Sequence, residues 1–280
     1  MSMKKIGVID YYLDQYHFEN YPTWIREASN GEMEIAYAYG KVEHEGGKTN
    51  AQCCQEQGIE LLSSIEEVIE KSDFLIVMSP DNPEQHEELC KLPLASGKLT
   101  YVDKTFATSR EKALHIIDMA KKGNTKFFST SALRYSAEYE KIEHGGIEFI
   151  ASRGPGEFSN YGIHQVEPII CMMGIDIEKI MYVGTENTDS FIFRYCDGRT
   201  ATMAQLGWEC DFGMAINYKD NHAVTIQGAA DFYQRFIVEL VGFFRDGIVR
   251  VAPEETLEVM TILEYGQKAK EHPGVWVELP

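Results

Sequence analysis

Short apolar runs alternate with helical patterns over roughly the first 130 residues, which is typical of successive βαβ units. The run at 74–78 is apolar on both faces, as a central parallel strand covered by helices is. The runs in this half predict strands at 6–9, 34–39, 74–78, 99–102 and 126–129. They indicate a parallel sheet with helices on both faces.

Helix signals fall between these strands. Pro22 suits the first turn of a helix, which predicts a helix over 21–29. Capping-box spacing predicts helix starts at Ser64 and Thr108, each followed three residues later by a glutamate. Another helical stretch is predicted around 84–92. The helix after Thr108 has an apolar stripe and a stop signal, formed by Ala113, Leu114, Ile117, Ala120 and then Gly123.

The second half of the chain has a different pattern of predicted elements. Strands follow one another without intervening helices, which favours a mostly antiparallel sheet. They are predicted at 148–152, 180–184, 190–195, 200–206, 212–217 and 223–227. Two helices come last, one over 232–245 and one that begins at Pro253.

These patterns predict an α/β Rossmann-type doubly wound parallel sheet, followed by an α+β domain with a mostly antiparallel, open-faced sheet. The predicted domains are residues 1–129, the dinucleotide-binding-like domain, and residues 130–280, the domain for substrate and oligomerisation. A sheet with one bare face exposes apolar area unless a partner covers it.

The charge balance of the chain restricts which classes of partner it can bind. The chain holds 26 Lys and Arg against 44 Asp and Glu, a formal net charge of −18. This excess of acid repels phosphate backbones and anionic membrane surfaces, so neither nucleic acid nor a membrane is a predicted partner. With 44% hydrophobic residues the chain can still bury a sizeable core. The remaining functional classes are an enzyme that acts on small molecules and a soluble binding protein.

The six cysteines show no C-x-x-C pair and no framework spacing, which is typical of reduced thiols. The apolar run near the N-terminus is cut short by Asp10, so no signal segment is predicted there. No apolar run approaches the roughly 18 residues of a membrane helix. We predict a soluble, cytoplasmic protein.

The segment after the first predicted strand lacks the glycines of a dinucleotide fingerprint. It consists of Asp10-Tyr11-Tyr12-Leu13-Asp14-Gln15-Tyr16-His17. Its carboxylates oppose a diphosphate, and its side chains occupy positions where glycine lets the backbone approach the ligand. After the second strand, Tyr39-Gly40-Lys41 replaces the expected ribose-binding carboxylate; Lys41 is either a 2′-phosphate partner or a solvated lysine.

Three other segments lie where ligands bind or where a second domain would supply catalysts. They are Ser79-Pro80-Asp81-Asn82-Pro83-Glu84-Gln85-His86, then Asp103-Lys104-Thr105-Phe106-Ala107, then Gly162-Ile163-His164-Gln165-Val166-Glu167 with a closing Gly174. In their order and spacing they resemble the T-P-N-x-x-H, E-K-P-x-A and H-x-x-D segments of the glucose–fructose oxidoreductase and inositol dehydrogenase superfamily (Gfo/Idh/MocA). The resemblance covers most of the chain.

The resemblance implies an NAD- or NADP-dependent oxidoreductase that acts on a sugar, polyol or related cyclic alcohol. Lys104 takes the place of the lysine beside the nicotinamide and the substrate hydroxyl, and His164 that of the proton-transferring group. Related proteins commonly pair through the open sheet, which implies a homo-oligomer, a dimer or tetramer. The implied cofactor contacts are Tyr12, Leu13, Tyr39, Ser79, Pro80, Asn82, His86, Asp103 and Lys104.

The sequence departs from the family pattern at several positions. Thr105 replaces the proline after the lysine, and Asn160 replaces an aspartate four residues before the histidine. Because an amide cannot act as a base, Glu167 and Tyr161 are the remaining candidates for proton transfer beside His164. Asp14 and His17 lack an identifiable third ligand, so no metal site is predicted.

Two functions of different classes stay open. The first is the NAD(P)-dependent oxidation or reduction of a sugar-like substrate. The alternative is a catalytically silent relative that binds a small ligand, with weak or no dinucleotide binding. The missing glycine fingerprint is the feature that favours the alternative.

Overall fold

The computed structural model describes residues 3–280 and divides into two compact units. The first unit runs up to Thr130 and includes a later segment, Phe236–Pro253. The second comprises Ser131–Arg235 and Glu254–Pro280. The boundary predicted after residue 129 lies one residue before the end of the first unit's main segment. Segment Phe236–Pro253, placed in the second domain by the sequence pattern, packs with the first unit.

The first unit contains a six-stranded parallel sheet. Its strands are β1 (Lys4–Asp10), β2 (Met33–Gly40), β3 (Glu60–Leu61), β4 (Phe74–Val77), β5 (Thr100–Val102) and β6 (Phe127–Phe128). The order β3–β2–β1–β4–β5–β6 is that of a Rossmann fold, with each half wound outward from the centre. The central strands β1 and β4 are buried from Ile6 and Leu75 onward because helices cover both faces.

Six helices connect these strands. They are α1 (Tyr16–Ala28), α2 (Asn50–Gln57), α3 (Ile65–Lys71), α4 (His86–Leu89), α5 (Lys91–Ala95) and α6 (Arg110–Gly123), with a 3₁₀ turn at Pro83–Gln85. The capping prediction at Ser64 is confirmed, since its side chain accepts a hydrogen bond from the Glu67 N–H.

The predictions for two helices were wrong in four details. Helix α1 begins at Tyr16, five residues before the predicted start, and holds Pro22 in its interior. Helix α6 is capped by Ser109 rather than Thr108. It ends on Asn124 in the left-handed region, φ 51°, rather than on Gly123. Its buried stripe uses Ile116 in place of Leu114, which is 39% exposed.

The second unit contains a seven-stranded sheet in the order β12–β11–β7–β10–β9–β8–β13. Its strands are β7 (Ile147–Pro155), β8 (Ile177–Tyr182), β9 (Ser190–Tyr195), β10 (Thr200–Leu206), β11 (Gly213–Tyr218), β12 (Ala223–Ile226) and β13 (Trp276–Glu278). Neighbouring strands are antiparallel except for the parallel pair β7 and β10. The predicted fold class is therefore confirmed.

The helices of the second half are α7 (Phe158–Tyr161), α8 (Ile163–Met173), α9 (Phe232–Asp246) and α10 (Pro253–Lys270), with 3₁₀ turns at Ala132–Tyr135 and Tyr139–Lys141. Alternate residues of the sheet face α7, α8 and α10. Along β9, Phe191, Phe193 and Tyr195 are fully buried, whereas Ile192 and Arg194 between them are half-exposed. With a period of two, these half-exposed residues lie together on the second face of the sheet.

Aromatic contacts explain why most of α9 packs with the first unit. Phe236 lies 5.2 Å from Tyr101, and Phe243 lies 5.0 Å from Phe128, between ring centroids. Phe244 is fully buried and stacks on Phe74 at 4.9 Å. The apolar stripe of α9 predicts burial but does not specify the partner, so this assignment requires the structure.

Among residues 3–280, no helix has the length and apolar character that a membrane crossing requires.

Candidate active site

The carboxyl ends of β1, β4 and β5 form the edge where a doubly wound sheet binds ligands. β1 and β4 are neighbours, and the chain order reverses between them, so this is the topological switch point. Three loops leave this edge: residues 11–15, residues 78–82 and residues 103–109. They contain most of the cofactor contacts predicted from the sequence.

The second and third loops meet at Lys104. Its Nζ lies 3.4 Å from the carbonyl oxygen of Pro80. Ser79 adopts φ 145°, a positive value that residues other than glycine rarely adopt, and its hydroxyl donates to the Asn82 carbonyl at 2.8 Å. Such backbone strain costs on the order of 1–3 kcal/mol and is concentrated at functional sites. The structure thus brings Lys104, Ser79, Pro80 and Asn82 together.

Asp103, next to Lys104, is the centre of a buried hydrogen-bond network. Its carboxylate lies 3.0 Å from Nδ1 of His17 and accepts from the Tyr101 hydroxyl at 3.1 Å. Burial acts to raise the pKa of Asp103, but the charge and hydrogen bond of His17 outweigh it and hold the pKa below its ordinary value. The network therefore holds an ionised carboxylate and fixes the start of the Lys104 loop.

His86, a predicted cofactor contact, is fully buried. Its Nδ1 lies 2.9 Å from the carbonyl oxygen of Thr105. Burial lowers the pKa of His86, which favours the neutral ring. In this arrangement the imidazole supports the residue that follows Lys104.

The first loop is closed by its own hydrogen bonds. Asp10 is buried; its carboxylate accepts from the Tyr11 N–H at 2.7 Å and from the Gln15 amide at 2.9 Å. Gln15 in turn accepts from the His17 N–H, which caps α1. Burial raises the pKa of Asp10 well above its ordinary value, against the effect of these two hydrogen bonds. Several N–H groups of the loop are therefore engaged within the chain.

Residues 12–14 are held from the side of α2. The N–H of Leu13 donates to the Asn50 side chain at 2.9 Å, and Leu13 is buried. Tyr12 stacks on His44 with ring centroids 4.4 Å apart. Asp14 accepts from His44 at 2.8 Å and from the Lys48 N–H at 2.9 Å, and these hydrogen bonds lower the pKa of Asp14. Asp14 is therefore ionised near neutral pH.

The lysine in the loop after β2, Lys41, forms an ion pair and a hydrogen bond. The ammonium of Lys41 lies 2.7 Å from Glu88 and donates to Gln85 at 3.1 Å. Tyr39, the predicted cofactor contact in this region, is half-exposed at the end of β2. The structure does not leave Lys41 as a solvated lysine, since it bridges to α4 and to the turn before it.

In the second unit, His164 lies in the first turn of α8. Its Nδ1 is 2.7 Å from the hydroxyl of Ser131. Tyr161 meets the imidazole edge to face at 5.3 Å, and Phe212 does so at 5.8 Å. His164 is half-buried, so the ring is oriented by neighbours yet remains accessible. Asn160 is exposed.

Glu167 is held in a buried ion pair. Its carboxylate accepts from Nε of Arg134 at 2.9 Å, and the same guanidinium donates to Glu255 at 2.6 Å. The Arg134 side chain is 7% exposed and that of Glu167 3%. Burial acts to lower the pKa of Arg134, but the charges of Glu167 and Glu255 raise it above its ordinary value. This carboxylate anchors α8 to the 3₁₀ turn at Ala132–Tyr135.

Sequence comparison identifies the type of the first unit. The family model described as "Oxidoreductase family, NAD-binding Rossmann fold" (Gfo/Idh/MocA) matches residues 26–131. Over these residues the resemblance to the Gfo/Idh/MocA family is confirmed. No curated protein matches the sequence.

Solved structures extend the similarity of fold to the whole chain. The myo-inositol 2-dehydrogenase of Lactobacillus plantarum is 14% identical, with a TM-score of 0.79 and 100% of each chain covered. The scyllo-inositol dehydrogenase of Lactobacillus casei, with bound NAD(H) and scyllo-inositol, is 16% identical, with a TM-score of 0.77 and 99% of each chain covered. The family match supports NAD or NADP as the cofactor.

The residues at the edge of the sheet fit such a cofactor in part. Ser79, with its strained backbone, and Lys104 place polar groups at the switch point. They lie next to the hydrogen-bond network of buried Asp103. The first loop does not fit a glycine cradle, because the Asp10 carboxyl occupies the place of the first glycine and the Leu13 N–H is already bonded. The loops after β4 and β5 are thus the parts suited to hold the dinucleotide.

The sequence alone did not reveal two buried pairings of this site. His17 pairs with Asp103, 86 positions away, and Arg134 pairs with Glu167, 33 positions away. A histidine in the first turn of α1 and an arginine after β6 carry no local signal of these partners. Residues 3–280 contain no group of three or more His, Cys, Asp or Glu side chains placed to hold a metal.

Proposed function

We propose that this chain is an NAD(P)-dependent oxidoreductase that acts on a CH–OH group of a sugar, polyol or related cyclic alcohol. The observation that carries the proposal is Lys104 at the carboxyl end of β5, beside strained Ser79 at the switch point. The inositol dehydrogenases of similar fold support the sugar-like substrate class.

The proposal assigns electrostatic stabilisation to Lys104. Loss of hydride from an alcohol carbon requires that the hydroxyl also lose its proton, and negative charge develops on that oxygen. An ammonium group held near the oxygen stabilises this charge. The Pro80 carbonyl and the Asp103 network restrict where the Lys104 side chain begins and points, which reduces the reorganisation needed during the reaction.

Proton transfer is assigned to His164, because an imidazole can both accept and donate a proton. Ser131 orients the ring through Nδ1, and Tyr161 lies beside it as a further candidate acid. Glu167 is committed to Arg134, so the proposal gives it a positioning role rather than proton transfer.

The bound cofactor would supply a hydride acceptor in one direction and a donor in the other. Ser79, Pro80, Asn82, Asp103 and Lys104 are the residues proposed to hold it. Tyr12 and Leu13, on the loop after β1, and Tyr39, at the end of β2, are proposed to contact its other half.

The deciding experiment is calorimetric titration of the purified protein with NAD⁺, NADH, NADP⁺ and NADPH. Binding of any of them in the micromolar range is the expected result. If none of the four dinucleotides binds, the alternative is favoured: a catalytically silent relative that binds a small ligand. The observation that favours this alternative is the first loop, closed on itself by Asp10 and Gln15.

Substitution of Asp14 by asparagine is expected to tighten dinucleotide binding up to about fivefold or to leave it unchanged. Removing one partly exposed negative charge near the diphosphate is worth about 1 kcal/mol, which corresponds to that factor. Both hydrogen bonds of Asp14 end on the same oxygen, Oδ2. The amide oxygen of an asparagine in that position still accepts from the Lys48 N–H and from His44, so the loop is preserved. Calorimetry with both proteins measures the change. Lost binding in Asp14→Asn would identify the carboxylate as a ligand-holding group.

We also propose that the chain forms a homo-oligomer, a dimer or tetramer, through the second face of the seven-stranded sheet. Half-exposed Ile192 and Phe149 lie on that face and favour cover by a partner. Light scattering at micromolar concentration is expected to give the mass of at least two chains. A mass of one chain, 31.8 kDa, would contradict this.

A further inference from the structure

The loop between β10 and β11 exposes a large aromatic ring. Trp208 is 65% exposed, although an indole of this size normally contributes to a core or an interface. Its ring is nevertheless held in place: Tyr161 meets it edge to face, with centroids 4.9 Å apart and planes at 88°. Gly156 makes room beneath it, because a Cβ there would lie 3.0 Å from two atoms of the indole.

The loop that carries Trp208 is anchored from the sheet. Arg153 on β7 donates to the Asp211 carbonyl at 2.8 Å and contacts the Cys210 sulfur at 3.4 Å. Its other terminal nitrogen donates to the Gln227 carbonyl at 3.0 Å. The Cys210 N–H closes a turn on the Gly207 carbonyl at 2.9 Å. The exposed indole is therefore displayed on a fixed support, not on a free loop.

The same aromatic group reaches His164. Tyr161 lies between Trp208 and the imidazole, and Phe212, at the end of the Trp208 loop, meets the imidazole from another direction. Phe212 packs where Gly154 leaves space, since a Cβ at 154 would lie 2.6 Å from its ring. Two aromatic rings, Tyr161 and Phe212, thus contact the residue assigned to proton transfer in the proposed function.

We propose that Trp208, with Phe212, forms a stacking subsite for the C–H face of an uncharged pyranose or cyclitol ring, beside His164. This inference rests on the proposed function and narrows its substrate class to ring polyols. Such rings have an apolar C–H face and a polar hydroxyl rim, so an exposed indole buries the face while the rim stays hydrated. Flat stacking on one ring selects cyclic polyols over flexible acyclic ones, which must be ordered on binding.

Charge on the same loop disfavours a phosphorylated substrate. Glu209 directly follows Trp208, and Asp211 lies two residues further along the loop. Both side chains are exposed, so they repel an anion near the indole. The guanidinium of Arg153 is occupied by backbone carbonyls. The expected ligands are therefore neutral rings.

Tryptophan fluorescence tests the subsite without requiring turnover. The chain has three tryptophans, and a Trp24→Phe/Trp276→Phe variant leaves Trp208 as the sole reporter. We expect a saturable change in its emission with myo-inositol or D-glucose, and none with sorbitol or glucose 6-phosphate at equal concentrations. In the otherwise native chain, Trp208→Ala is expected to weaken ring binding, measured by calorimetry, at least tenfold, with Trp208→Phe in between.

The outcomes separate this inference from the proposed function. If the emission responds to ring polyols but the protein binds no dinucleotide, the subsite is supported and the proposed redox function is contradicted. Oxidation of a ring alcohol with the same KM in Trp208→Ala, or no emission change with either ring, would overturn the subsite. Emission that follows protein concentration instead of ligand would overturn it too, by placing Trp208 at a contact between chains.

Discussion

Alanine at position 104 is expected to lower kcat for alcohol oxidation by at least about a hundredfold, while dinucleotide affinity falls only a few-fold. Removing one preorganised group that stabilises developing negative charge typically costs a factor of about 10²–10³ in kcat. The ammonium of Lys104 is proposed to act most strongly on the alkoxide, which exists only as the reaction proceeds. Steady-state rates with the best ring alcohol, together with calorimetry of the cofactor, measure the two effects separately.

The matched control is Lys121→Ala. Lys121 lies exposed near the end of α6, away from the carboxyl edge of the sheet, and its loss removes the same charge. We expect this variant to retain the rate of the unaltered protein. A Lys104→Ala protein with unchanged kcat would show that this lysine is only a packing residue beside Pro80.

Elements with a strong local pattern were predictable from the sequence. The strands Ser190–Tyr195 and Thr200–Leu206 alternate buried and half-exposed residues along their whole length, and both were predicted to the residue. Helix Pro253–Lys270 begins with proline and acidic residues and ends with lysines, which complement the helix dipole at both ends. Here propensity, charge and packing agree.

Other elements lack such signals or carry misleading ones. Helix α2 was not predicted, because Asn50–Gln57 is polar and a cysteine pair supplies the only apolar residues on its buried side. Its capping box of Thr49 and Gln52 is the missed signal. The start of α1 was misplaced because its N-cap is Gln15, an unusual cap, and because Pro22 lies inside the helix. Thr108 and Ser109 are both hydroxyl residues, and the sequence does not distinguish which one caps α6.

The candidate site shows the same division. The positions of Lys104 and Ser79 follow from strand ends, because parallel strands bring their carboxyl ends to one edge. The partners of these residues do not, since pairs such as His17 with Asp103 depend on which helix lies across the edge. The exposure of Trp208 is likewise a property of loop geometry that periodicity does not carry.

Replacing Arg134 with methionine is expected to cost about 3–5 kcal/mol in the free energy of unfolding. The side chains of Arg134 and Glu167 are 7% and 3% exposed, so the variant would leave a buried carboxylate without its cation. Glu255, at 29% exposure, can turn toward water and adds less. Urea unfolding measures the loss. A change below about 0.5 kcal/mol, the range of an ordinary surface substitution, would show that the ion pair contributes little.

The Arg134→Met/Glu167→Leu double variant decides the role of Glu167. Because it removes both buried charges, it is expected to recover most of the stability that Arg134→Met loses. If Glu167 only anchors α8, as its bond to Arg134 indicates, the stable double variant keeps measurable oxidation of a ring alcohol, because His164 still bonds to Ser131. If Glu167 itself transfers the proton, the double variant is stable and inactive. Stability and turnover measured on the same protein therefore distinguish an anchoring carboxylate from a catalytic one.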